Sequence, residues 1–118
     1  YCYDPAYEPL NALPDKKFDA VISTDVLEHC PEEDIPWILD EIFGYATRFV
    51  FANVACYPAK KRLPNGENAH CTIREPEWWR RLLSDVSSRH PDIKWEVWVQ
   101  YLIDTPRGRE MAENRLGN

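Results

Sequence analysis

Two short apolar runs, F-D-A-V-I-S at Phe18–Ser23 and R-F-V-F-A-N-V at Arg48–Val54, flank one stretch of helical periodicity, and this arrangement limits the possible folds most. Between them Ile35, Ile38, Leu39 and Ile42 fall at i, i+3, i+4 and i+7, which predicts a helix over 34–46 with one apolar face. Pro36 fits only in its first turn, where the missing N–H has no intrahelical partner to lose. Glu32, Glu33 and Asp34 place acid at the end the helix dipole favours. Each run is apolar and β-branched at successive positions, the pattern of a strand buried on both faces of a parallel sheet. Strand, helix and strand within about forty residues make a βαβ unit. Such crossovers are right-handed, so the strands are parallel and their carboxyl ends, at Asp25 and Asn53, share one edge.

Downstream, Glu75-Pro76-Glu77 opens a second helix in which Trp79, Leu82, Leu83 and Val86 repeat the stripe until His90-Pro91 closes it. Ile93, Trp95, Val97, Val99 and Tyr101 then alternate with Lys94, Glu96, Trp98 and Gln100, a period of two that marks a half-exposed strand near a sheet edge. Upstream, prolines at 5, 9 and 14 forbid a helix between Asp4 and Asp15 and leave an extended connector. Pro58 to Ile73 is a long polar connection with a turn at Pro64-Asn65-Gly66, and loops of that length in compact domains often carry function. The charged, glycine-bearing residues 104–118 are expected to form a loose tail. The expected domain is therefore 1–103, of the α/β class.

Composition narrows the function classes. Ten prolines would suit a disordered chain, but 44% hydrophobic and 13% aromatic residues suffice for a core. No apolar run approaches the length of a membrane span. A net charge of −6 disfavours nucleic acid, so Lys60-Lys61-Arg62, with Arg74, Arg80 and Arg81, reads as solvated surface. Cys2, Cys30, Cys56 and Cys71 are widely spaced with no CxxC pair, as expected for reduced thiols in a cytosolic protein. His29, Cys30, Cys56, His70 and Cys71 are types that hold zinc. Two of these pairs are adjacent in sequence and cannot easily both point at one ion, so no metal site is expected. Trp79 continues the helical stripe and reads as core, whereas Trp78 is open to stacking on a substrate ring.

In open α/β sheets ligands bind outside the carboxyl ends of parallel strands, where loops carry polar groups and helix N-termini point their N–H donors. That rule selects S-T-D-V-L-E-H at Ser23–His29, and Asn53 with the loop after it. Asp25, Glu28 and His29 crowd three ionisable groups at one corner, which suits a ligand site or a helix-capping turn. His70 lies in a loop able to cover a substrate pocket or to stand solvated.

F-D-A-V-I-S-T-D-V-L-E-H, the following E-E-D-I-P-W-I-L-D-E-I-F and then R-F-V-F-A-N-V resemble the fourth strand, post-strand loop, next helix and fifth strand of class I S-adenosylmethionine-dependent methyltransferases. The likeness is densest over Asp15–Val54 and extends to Ile103. It implies a Rossmann-like sheet of seven strands, mostly parallel, with helices on both faces, and S-adenosylmethionine as cofactor. It also implies methyl transfer to an acceptor, for which a small molecule fits the charge better than nucleic acid. Such transfer is an in-line displacement that demands positioning above all. In that family an acid at the end of the second strand holds the ribose hydroxyls, and Y-D-P-A-Y resembles that place; Asp4 then either binds ribose or starts a turn. Thr24 and Asp25 would line the cofactor edge, with Glu28, His29, Asn53 and His70 on the substrate side. The family's glycine-rich loop has no counterpart, because Gly44, Gly66, Gly108 and Gly117 are isolated. The stretch from Asp4 to Phe18 is also too short for a crossover. The expectation is a domain incomplete at its N-terminus, with the first strand and glycine loop upstream. The alternative is a non-catalytic binding or assembly module. Either would expose a sheet edge beside the fourth strand and favour a homo-oligomer.

Overall fold

A computed structural model describes residues 1–118. The first run forms strand β1 (Phe18–Thr24), followed by 3₁₀ turns at Leu27–His29 and Glu32–Asp34, helix α1 (Ile35–Tyr45) and strand β2 (Ala46–Ala55). Helix α2 (Pro76–Ser88) leads to strands β3 (Lys94–Thr105) and β4 (Gly108–Gly117). The sheet order is β1-β2-β3-β4; β1, β2 and β3 are parallel, and β4 runs antiparallel to β3. The fold is thus α/β with a mostly parallel sheet. Pro36 and Pro76 both sit in the first turn of their helices, as their chemistry requires.

Both helices lie on one face of the sheet. Leu27, Ile35, Leu39 and Phe43 meet Trp79, Leu83 and Val86 over Val50, Ala52, Val54, Trp95, Val97 and Val99 to make one core. Asp40 of α1 accepts from the His90 ring and the Arg89 guanidinium just past the end of α2, which ties the helices together and holds its carboxyl below its ordinary value. No helix is long and apolar enough to cross a membrane.

Three expectations need correction. Helices on both faces of a seven-stranded sheet are not found: the sheet has four strands and the second face is uncovered. On that face Ile22 is 70% exposed, and Ala20, Phe49, Phe51 and Trp98 stand beside it in register. Strand β1 is therefore buried on one side only, its apolar composition notwithstanding. The alternating strand β3 lies beside the edge strand β4, between it and β2, with its polar positions Glu96 and Gln100 facing the uncovered side. The residues expected as a loose tail are β4, paired with β3 from Thr105↔Gly108 to Glu96↔Gly117. An edge strand tolerates charge on both faces, which hid it from an apolar-pattern search. Pro106-Arg107 makes the hairpin turn, with Gly108 at φ +113°, where an L side chain is strained.

The connector 1–17 closes on itself, with a 3₁₀ turn at Glu8–Leu10 and the Tyr1 hydroxyl donating to the Ala12 carbonyl.

Candidate functional site

At the carboxyl end of β1 the backbone turns through Asp25, whose φ of 53° is the only positive value outside glycine. Asp and Asn tolerate this region better than other residues, because their short polar side chains bond locally. Here the bond crosses strands: Asp25 N–H donates to Asn53 Oδ1 at 2.8 Å, and Asn53 Nδ2 donates back to Asp25 Oδ1 at 3.3 Å. Thr24 pairs in register with Asn53 and is exposed. Asn53 therefore joins the ends of two parallel strands and holds the corner open. Strain kept at such a place is a pointer to function.

The 3₁₀ turn that follows carries Leu27, Glu28 and His29. Leu27 fills the core and pulls Glu28 inward until it is 1% exposed. Its Oε1 accepts from the Ala55 N–H at the end of β2, at 3.3 Å. Its Oε2 has no donor, and no ion pair in the chain uses it.

The long loop between β2 and α2 packs onto this turn through side chains that satisfy backbone. The Thr72 N–H donates to the Glu28 carbonyl and its hydroxyl to the Cys30 carbonyl, at 3.0 and 2.8 Å. Asn68 bonds both N–H and carbonyl of Ala59 and accepts from the His70 N–H. The tight turn at Leu63–Gly66 has Gly66 at φ +88° and the Arg62 guanidinium on its carbonyl. Arg74 forks onto Glu32, fixing the loop's far end. The result sets His70 against His29, with ring centroids 4.8 Å apart. The His29 Nδ1–H donates to the Ala69 carbonyl at 2.9 Å, and the His70 Nδ1–H to the Tyr57 carbonyl. A carbonyl only accepts, so in each neutral ring the lone pair is on Nε2.

Of the residues singled out from sequence, the fold brings Thr24, Asp25, Glu28, His29, Asn53 and His70 to one edge. Asp4 is not brought there by any contact: it accepts from the Ala6 N–H, and its backbone bonds stay within Asp4–Leu10. Trp78 is half-buried beneath the Arg74 guanidinium, 5.8 Å from the ring centre. Asn68 and Thr72, which position His70, were not singled out; Asn68, followed by His70 in a turn-rich loop, was the available signal. Beside the site an open cleft of about 420 Å³ runs between the loop and β3, lined by Tyr57, Arg74, Tyr101 and Arg109 among others. A depression at the amino end of β1, around Lys16, Lys17 and Glu41, gathers no comparable chemistry.

Burial, and then the charge of Glu28, pushes the Cys56 thiol up to about 11. Burial raises that of Cys30 too. These two sulfurs are neutral thiols rather than nucleophiles. Comparison with protein-family models, with curated proteins and with solved structures found no match.

Proposed function

We propose that this edge is the working side of a Rossmann-like methyltransferase domain, transferring a methyl group from S-adenosylmethionine to a small-molecule acceptor in the cytosol. The observation that carries the reading is the Asp25–Asn53 corner. A strained acidic residue at the carboxyl end of β1 is tied to the neighbouring parallel strand, and two histidines and a buried carboxylate cluster through the turn that follows it. The donor set fits the cofactor in part. Thr24 is exposed, and the Asp25 carboxylate, whose Oδ1 accepts from Asn53, keeps Oδ2 to accept from a hydroxyl, whereas the ribose role considered for Asp4 competes with its own turn. The cofactor supplies an electrophilic methyl group. His29 and His70 each hold an Nε2 lone pair able to take the proton that an acceptor O–H or N–H loses.

The domain so read is completed beyond the outer edge of β1, which has no strand beside it. A second reading, a binding or assembly module that self-associates as a homo-oligomer, is favoured by the same free edge and by the uncovered apolar face around Ile22.

The two readings separate by calorimetric titration of S-adenosylmethionine and S-adenosylhomocysteine into the chain. Asp25→Asn keeps a residue that tolerates the positive φ but removes the charge. We expect the wild type to bind, and Asp25→Asn to bind about tenfold more weakly with its melting temperature unchanged, the loss of one charge-assisted hydrogen bond. Affinity indifferent to the variant overturns the cofactor role of Asp25, and no binding by the chain favours the assembly module.

A further inference from the structure

We propose that Glu28, His29 and His70 form a binding site for one divalent first-row transition-metal ion. One ligand-type atom from each of the three lies within 4.8 Å of the others. Ligands around one such ion sit about 2.0–2.2 Å from it, so closure needs side-chain movements on the order of 1 Å. Adjacency of Glu28 and His29 in sequence is no obstacle, because the 3₁₀ turn directs Glu28 inward under β2 while the loop brings His70 over to His29.

Two further observations point to an ion rather than to an accidental cluster. Each imidazole gives its Nδ1–H to a backbone carbonyl, that of Ala69 or Tyr57, which is how metal-bound histidines are usually oriented and made more basic. The Glu28 carboxylate is 1% exposed, yet Oε2 has neither donor nor counter-charge. A buried carboxylate with half its acceptors unpaired is costly, and a cation is the partner the surrounding donor set can hold.

Two imidazoles and one carboxylate suit zinc, cobalt, manganese or ferrous iron, whereas magnesium prefers an all-oxygen shell. Cys30 and Cys56 remain outside the ligand set as neutral thiols. Three protein ligands leave positions for water or a substrate oxygen, the arrangement of a reactive rather than a structural site. His29 is exposed, so that position is reachable from solvent. The ion would occupy the same two Nε2 lone pairs that the methyl-transfer reading uses as proton acceptors, so the site competes with that role of the histidines, and the metal alone tests it.

The experiment is titration of cobalt(II) into the untagged full chain, followed by visible absorption, with zinc(II) by calorimetry. We expect one ion per chain, d–d bands without a sulfur-to-cobalt charge-transfer band, and displacement of cobalt by zinc but not by magnesium at equal concentration. His70→Ala and Glu28→Gln should each weaken binding at least tenfold; Glu28→Gln keeps the side chain's shape, and circular dichroism checks that both variants fold. A thiolate band, affinity unchanged in both folded variants, or no binding by the wild type overturns the proposal.

Discussion

Cys56 and Cys71 are separated by one loop, yet their environments make opposite chemical partners of them. Cys71 and Cys2 are exposed, whereas Cys56 is pushed up to about 11, by burial first and by Glu28 second. The thiolate is the form that reacts, so a pKa raised from 9.0 to about 11 lowers the reactive fraction at fixed pH by roughly 100-fold. With iodoacetamide at pH 8 in the presence of a chelator, Cys2 and Cys71 should be modified well before Cys56 in peptide mass spectra. Equal rates would mean that the segment at the end of β2 opens readily. The residue scale is also where the site was most legible. Asp25, Glu28, His29 and Asn53 follow from a rule about strand ends. That His29 and His70 meet does not follow from any spacing, because forty residues lie between them and Asn68 and Thr72 decide where the loop comes down.

Helix periodicity made α1 and α2 readable to within a residue or two, since each owes its position to one apolar stripe. Trp79 is the largest fully buried side chain, and its indole N–H has no acceptor. Trp79→Ala should cost about 3–5 kcal/mol in urea unfolding followed by circular dichroism, from lost contacts plus a cavity. Trp79→Phe should cost clearly less, because it also removes a buried donor that has no partner. Equal losses would show that the N–H is satisfied after all. The strands were less legible than the helices. In β1 apolar residues suggest two covered faces where one is bare, and in β4 charge conceals ten residues of pairing. At its end Gly117 passes so close to β3 that a Cβ would stand 2.6 Å from the Trp95 carbonyl oxygen, a constraint set by the partner strand alone.

For the whole molecule, the radius of gyration of 15.2 Å exceeds the about 13.5 Å expected for a compact domain of this length. A sheet with helices on one face only, and a connector whose residues are nearly all exposed, accounts for the excess. The bare face offers Ile22, Phe49, Phe51 and Trp98, bounded on the β4 side by the Glu96–Arg115 ion pair. Such a face favours association. Sedimentation velocity over a concentration series should show self-association of the wild type and a shift to monomer in Ile22→Lys, whose charge sits at the most exposed apolar point of that face. A wild type that stays monomeric throughout would remove the support for the assembly reading.

Local pattern by itself determined the α/β class, the two helices, the parallel βαβ unit and the corner at Asp25, because periodicity, proline position and strand-end chemistry act over a few residues. Tertiary structure alone decided that one face is bare, that β4 adds an edge strand beside β3, and that Glu28, His29 and His70 converge. These depend on which surfaces find partners far along the chain. A buried carboxylate becomes a ligand-type group only when a loop from beyond β2 sets an imidazole beside it and leaves one of its oxygens without a donor.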